Sequence, residues 1–128
     1  MSVLVDTSIW IDYLRAGPHS EAIDVLIDEN VIVTNELILS EIIPTLAVGG
    51  QTKLIALLLL LPAQPIFIDW DEIRSIQTRC LKKGLNGIGI PDLIVAQNAA
   101  QHRAPLYALD KHFRWLAEIL PLKLFTIE

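Results

Sequence analysis

Two aspartates each follow a short apolar run, one near either end of the chain. Asp6 follows residues 3–5 (VLV), and Asp110 follows residues 106–109 (LYAL). Continuously apolar runs of this kind are typical of strands that are buried on both faces of a parallel sheet. Because ligands and chemistry collect at the carboxyl ends of such strands, both carboxylates are expected at one edge. Carboxylate oxygens are the ligands that hard divalent cations prefer, so the pair suggests a metal site.

A third carboxylate, Glu41, lies inside the apolar run of residues 37–43 (LILSEII). A carboxylate is seldom buried unless it is paired or binds a metal, which makes this position a candidate ligand. The alternative is a solvated stripe that Glu41 forms with Ser40 and Thr45. Glu36 needs no functional explanation, because a negative charge in the first turn of a helix suits the helix dipole.

The fourth candidate, Asp92, follows Pro91 in the predicted first turn of a helix. Helix capping or a dipole contact could explain Asp92 alone, as capping could explain Asp6 and a turn could explain Asp110. The apolar residues 93–96 that follow indicate a largely buried helix, whose start is therefore expected at the edge of the sheet.

The four acids make a stronger case together than singly. Carboxylates that converge without a cation repel one another and raise one another's pKa, and Mg²⁺ or Mn²⁺ would relieve that conflict. One or two such ions can activate a water and stabilise the leaving oxygen in phosphodiester cleavage. The sequence contains no Walker A lysine motif, so nucleotide hydrolysis of that type is not expected.

Length and charge limit the other possibilities. The chain has 128 residues, and we expect one domain over residues 1–128. Its formal charge of −5 argues against broad electrostatic binding to duplex nucleic acid, which requires many Lys and Arg on phosphates. Two divalent ions in an acidic site would bring the total charge close to neutral and weaken that argument.

Three features favour the cytoplasm over a membrane or an oxidising compartment. The single cysteine, Cys80, cannot form an internal disulfide and fits a reducing environment. The N-terminus does not resemble a secretory signal. The longest apolar run, residues 54–61, is far shorter than the roughly 20 residues that span a bilayer, and it predicts a buried helix or a helix between subunits.

Short strands alternate with helices along the chain. This order predicts an α/β fold, a three-layer sandwich with a mainly parallel central sheet. Strands are expected at residues 3–5, 31–33, 66–68 and 106–109, with a last edge strand at 122–126. A first helix is expected to begin after its N-cap Ser8 and to end at residue 14, and a second is expected at 21–27. A third begins after Thr34 or Asn35 and ends at 47, a fourth spans 51–61, and a fifth runs from Asp69 or Asp71 to 83. Two more are expected at 92–102 and 112–120.

Four blocks of the sequence resemble one known family. Residues 3–12 (VLVDTSIWID) resemble the opening of PIN-domain ribonucleases, specifically the VapC toxins of bacterial and archaeal toxin–antitoxin pairs. Residues 38–43 (ILSEII), 87–96 (GIGIPDLIVA) and 106–113 (LYALDKHF) resemble the second, third and fourth signatures of that family. Each block is weak alone, but their order and spacing over the whole chain are specific.

The resemblance implies a PIN-like fold and a metal-dependent endoribonuclease that cleaves RNA with a metal-activated water. It implies that Asp6, Glu41, Asp92 and Asp110 are the catalytic and metal-binding residues, and that Thr7 contacts the metal or its water. It also implies Mg²⁺ as cofactor, with Mn²⁺ able to substitute, a homodimer, and a cognate VapB-type antitoxin that blocks the site.

Two positions depart from the family pattern. Ala108 stands two residues before the last acid, where the family usually has Thr or Ser, and His112 stands where many relatives have a second Asp. Ala108, together with the acidic balance of the chain, supports an alternative function, a PIN-like module that binds protein or RNA without cleaving it. An acidic-pocket phosphotransfer domain is a third, but it needs a lysine at the end of a late strand, and none is evident.

Overall fold

A computed structural model of the chain describes residues 1–127. Three short parallel strands form its sheet in the order β2-β1-β3, with β1 at the centre. The strands are β1 Val3–Val5, β2 Ile32–Val33 and β3 Leu106–Tyr107. The apolar residues of β1 are fully buried because the strand has neighbours on both edges and helices around it, as its continuous apolar sequence predicts.

Helices follow the strands throughout the described chain. They are α1 Thr7–Leu14, α2 Ser20–Asp28, α3 Glu36–Val48, α4 Thr52–Leu60, α5 Trp70–Lys82, α6 Ile90–Gln101 and α7 His112–Ile119. A parallel sheet with helices packed around it is an α/β sandwich, which confirms the predicted fold class. None of the helices described combines the length and apolarity needed to cross a membrane.

Polar side chains begin several of these helices, although not always the expected ones. The Asp6 carboxylate, rather than Ser8, caps α1, because it accepts the Ser8 backbone N–H. Asn35 caps α3 through the N–H of Ile38 at 2.9 Å, and Asp69 caps α5. The caps at Asn35 and Asp69 agree with the sequence prediction, which allowed each of them.

The strand expected at residues 66–68 does not form. Pro62 and Pro65 on either side of Ala63 lack the N–H that a ladder needs, and only Ala63 forms a single parallel bridge, with Thr34. The chain between α4 and α5 is held instead by side chains of α6. The prediction failed because an apolar triplet shows neither burial, since Phe67 is 68% exposed, nor what supplies the backbone partners.

Two other strand predictions were too long. Residues 106–109 are β-strand only as far as Tyr107, because the Leu109 N–H donates to the Ser8 hydroxyl instead of to another strand. Residues 122–126 form one parallel bridge, between Leu124 and Leu106, rather than a full edge strand.

Helix α4 is less buried than its sequence predicts. Leu58 is its one buried residue, whereas Leu59 and Leu60 are 63% and 86% exposed. A helix that is apolar on all sides is normally buried on all sides. Within one chain the outer face of α4 is not covered.

Candidate metal centre

Asp6 lies directly after the central strand and is itself buried, with 8% of its surface exposed. Its Oδ2 accepts the Ser8 N–H at 3.2 Å and the Ser8 hydroxyl at 2.7 Å. Burial raises the pKa of Asp6, while the hydrogen bonds from Ser8 and the backbone of Thr7 oppose that rise. Helix capping and membership of an acidic cluster are thus compatible at Asp6, since one carboxylate oxygen serves the cap.

Glu41 is exposed on α3, so the expectation of a buried carboxylate is wrong. Ser40 and Thr45 are exposed beside it, which is the solvated stripe that the sequence left open. The Thr7 hydroxyl nevertheless donates to Glu41 Oε1 at 3.2 Å. Partial desolvation raises the pKa of Glu41, the Thr7 hydrogen bond lowers it, and the charge of Asp6 raises it further. Thr7 therefore links the first acid to the second.

Asp92 lies in the first turn of α6, after Pro91, and is partly buried. Burial raises the pKa of Asp92 to about 6, and the charges of Asp6, Asp110 and Glu41 contribute to the rise. His112 acts in the opposite direction. The structure thus brings all four predicted acids close enough for each of the others to affect Asp92.

Asp110 is held by its own turn and not by a hydroxyl at position 108. Its Oδ1 accepts the backbone N–H of His112 at 2.9 Å, and His112 Nδ1 lies 3.1 Å from the same oxygen. The Ser8 hydroxyl accepts the Leu109 N–H at 3.1 Å while it donates to Asp6. A hydroxyl from α1 therefore connects the first acid to the loop that carries the last one, where Ala108 has no hydroxyl.

His112 is closer to the acids than the sequence indicated. Asp92, Asp110 and His112 each offer a ligand atom, and these atoms lie within 4.8 Å of one another. A Cβ placed on Gly87 would lie 3.4 Å from His112 Cε1, so the loop that precedes α6 packs closely beside the imidazole at Gly87. Sequence reasoning took Ser8 only as a helix cap and His112 only as a departure from the family pattern, although both lie within two residues of a predicted acid.

The side chains of this cluster suit a hard divalent cation. Asp6, Glu41 and Asp92 form no ion pair with any Lys or Arg in residues 1–127. Converging carboxylates without such a partner raise one another's pKa, and hard cations such as Mg²⁺ and Mn²⁺ bind carboxylate oxygens. His112 could add one nitrogen, which Mn²⁺ accepts more readily than Mg²⁺ does.

Comparisons with known proteins bear on the fold and the family of the chain. A chain in the crystal structure of VapBC2 from Rickettsia felis bound to a DNA fragment from their promoter matches with a TM-score of 0.73. That likeness covers 100% of both chains at 23% sequence identity, and it shows a common fold. No curated protein matches the chain. The PIN domain model matches residues 3–119, which span β1, the acidic cluster and α7, and the chain therefore belongs to the PIN domain family.

Proposed function

We propose that this chain is a metal-dependent endoribonuclease and the toxin of a VapBC-type toxin–antitoxin pair. The observation that carries the proposal is the convergence of Asp6, Glu41, Asp92 and Asp110 at one edge of a PIN fold. The absence of any Lys or Arg ion pair to three of them within residues 1–127 supports a cation as their missing partner. The likeness to a chain of the VapBC2 structure supports the toxin role.

In this proposal the four acids hold Mg²⁺, for which Mn²⁺ can substitute, and Thr7 orients Glu41. When bound, the ion supplies Lewis acidity and a reactive water at neutral pH. We also propose that one of these carboxylates assists as proton acceptor for the attacking water.

The proposed partners follow from the proposed toxin function. RNA is the substrate, and a VapB-type antitoxin would neutralise the toxin by covering the acidic cluster. A second copy of the chain would complete a homodimer. The exposed apolar face of α4, with Leu59 and Leu60, is available for contacts with other chains. The proposed location is the cytoplasm, where RNA is present.

A cleavage assay with and without metal tests the enzyme. Purified protein in Mn²⁺ is incubated with a panel of structured RNAs, beside Asp6→Asn, Asp92→Asn and the matched control Asp28→Asn. Asp28 is exposed on α2. We expect wild type and Asp28→Asn to cleave, and the other two variants to lose at least about 100-fold in rate, as loss of a group that stabilises developing charge typically does.

Two outcomes contradict the proposal in different ways. Cleavage that persists in EDTA, or at the wild-type rate in both site variants, rules out this metal mechanism. Wild-type protein that binds Mn²⁺ and RNA but leaves every RNA intact supports the alternative of a binding module. Mn²⁺ binding is measured by calorimetry on the same samples.

A further inference from the structure

A cavity of about 270 Å³ lies next to the acidic cluster. It opens between the chain that follows β3 and the C-terminal residues 124–127. Asp110 lines it, so the cavity and the acidic cluster share a side chain. Its volume lies just below the range of about 300–1,000 Å³ for small-molecule pockets, which suits a single ring system.

The cavity forms where a parallel ladder ends. The Leu106 N–H donates to the Lys123 carbonyl at 2.9 Å, and the Phe125 N–H donates to the Leu106 carbonyl at 2.8 Å. Within residues 1–127 no backbone bond continues this ladder. The Ala108 N–H and the Phe125 carbonyl are thus left as a donor and an acceptor without ladder partners, and both residues line the cavity.

Aromatic rings form one side of the cavity. The Phe125 ring centroid lies 4.8 Å from that of Tyr107, and the His19 ring lies 5.4 Å from Tyr107 on another side. All three residues line the cavity. Aromatic side chains stack on nucleobases with little regard to base identity, whereas main-chain donors and acceptors can distinguish one base edge from another.

The charges of the cavity favour a neutral ligand over a phosphate. Arg114 supplies one positive charge and Asp110 one negative charge. No ion pair in the described chain involves Arg114, so its guanidinium can contact a ligand. A phosphate would be repelled by Asp110, whereas a base offers both donors to the carboxylate and acceptors to the guanidinium.

We propose that this cavity binds one unpaired nucleobase of the RNA, adjacent to the phosphate that the acidic cluster cleaves. The proposal rests on the ribonuclease function proposed above and adds the origin of sequence preference at one substrate position. Asp110 marks the boundary between the two sites, because it lines the cavity and affects the pKa of Asp92. The stacked base would hold the flanking phosphate near the acids.

Binding of small probes tests this without any cleavage. The wild-type protein in Mg²⁺ is titrated with each of the four nucleoside 5′-monophosphates and with ribose 5-phosphate, which lacks the base. Amide NMR signals of Ala108, Leu109 and Thr126 are followed. We expect at least one nucleotide to bind about tenfold more tightly than ribose 5-phosphate, since stacking of one base contributes that much.

Two variants with matched controls locate the binding. Thr126→Trp fills the cavity from an exposed position, and Thr78→Trp makes the same change on α5. Arg114→Ala removes the guanidinium, and Arg79→Ala is its control. We expect Thr126→Trp to abolish the preference for nucleotide over ribose 5-phosphate and Arg114→Ala to reduce it. Both controls should keep the wild-type ratio.

Equal affinity of wild type for ribose 5-phosphate and for all four nucleotides would overturn the proposal. So would an unchanged preference in both Thr126→Trp and Arg114→Ala, or signal changes confined to other parts of the protein. Binding and cleavage are measured separately, so the two proposals can fail separately. A wild-type protein that cleaves no RNA would contradict the proposed function, whereas a wild-type protein without a preference for nucleotides would contradict only the base site.

Discussion

At the scale of the residue, Ser8 joins two strand ends that lie side by side. Its hydroxyl donates to Asp6 at 2.7 Å and accepts the Leu109 N–H at 3.1 Å. Side chains that orient metal ligands typically contribute 10- to 100-fold to metal affinity. We expect Ser8→Ala to weaken Mn²⁺ binding about tenfold in calorimetry and to lower stability by about 1 kcal/mol.

A merely structural role for Ser8 would leave metal affinity unchanged. Ser8→Thr keeps the hydroxyl and should restore most of the affinity. Ser75→Ala, at an exposed position of α5, is the control for loss of a hydroxyl elsewhere. If Ser8→Ala binds Mn²⁺ as tightly as wild type does, the hydroxyl does not position Asp6.

Asp92 makes the stability of the metal-free protein depend on pH. Burial raises its pKa to about 6 from the ordinary value of 3.8, so the folded state holds this proton more tightly than the unfolded state does. Stability from this group is complete below pH 4 and is lost as pH rises through about 6. After allowance for partial exposure, we expect Asp92→Asn to stabilise the metal-free protein at pH 7.5 by about 1–2 kcal/mol.

Urea unfolding in EDTA at pH 4.5, 6 and 7.5 measures this effect. The gain from Asp92→Asn should be largest at pH 7.5 and should shrink towards pH 4.5, whereas Asp28→Asn should show no such trend. A variant that destabilises the protein equally at every pH would show that Asp92 has a structural role instead.

At the scale of the element, α6 organises both the acids and the chain between α4 and α5. Asn98 is buried on α6. Its Oδ1 accepts hydrogen bonds from Asn35 Nδ2 and Gln64 Nε2 at 2.9 Å each, and its Nδ2 donates to the Pro65 carbonyl at 2.9 Å. Since Asn35 caps α3, this network connects the helix of Asp92 to the helix of Glu41.

Truncation of Asn98 should therefore be costly. Asn98→Ala leaves a buried amide and a carbonyl without partners, and each such group costs about 1–3 kcal/mol. We expect a loss of about 2–4 kcal/mol in the free energy of unfolding, measured by urea denaturation. Gln101→Ala removes a more exposed hydrogen bond, from the side-chain amide to the Phe67 carbonyl, and should cost less than half as much. Equal losses would show that the buried network has no special role.

The same elements show what sequence could and could not predict. Asp6 and Asp92 were placed correctly because apolar runs and a proline locate strand ends and helix starts. The strand at residues 66–68 was wrong because a backbone partner of that segment is a side chain more than thirty residues away in sequence, Gln101, which donates to the Phe67 carbonyl. Glu41 was expected to be buried because an apolar neighbourhood along the chain does not specify which stripe of a helix faces solvent.

At the scale of the whole molecule, repulsion within the acidic cluster opposes folding of the metal-free protein. Burial raises the pKa of Asp6, Glu41 and Asp92, and mutual repulsion adds to each of these shifts. The folded state therefore contains repulsion among buried acids that the unfolded chain does not have. The formal charge of −5 adds to the expectation that the protein is more stable with a divalent ion than without one.

Metal binding should therefore raise stability by mass action. At a Mn²⁺ concentration 100 times the Kd, we expect the free energy of unfolding at pH 7.5 to rise by about 2.7 kcal/mol, seen as an increase in Tm. NaCl at matched ionic strength should give a far smaller rise, because it only screens the repulsion among the acids and is not bound by their carboxylates. The gain should fall sharply at pH 4.5, where protons compete for the carboxylates, and in Asp6→Asn at any pH. A Tm that responds equally to Mn²⁺ and to NaCl would mean that the four acids act as dispersed surface charge and form no metal centre.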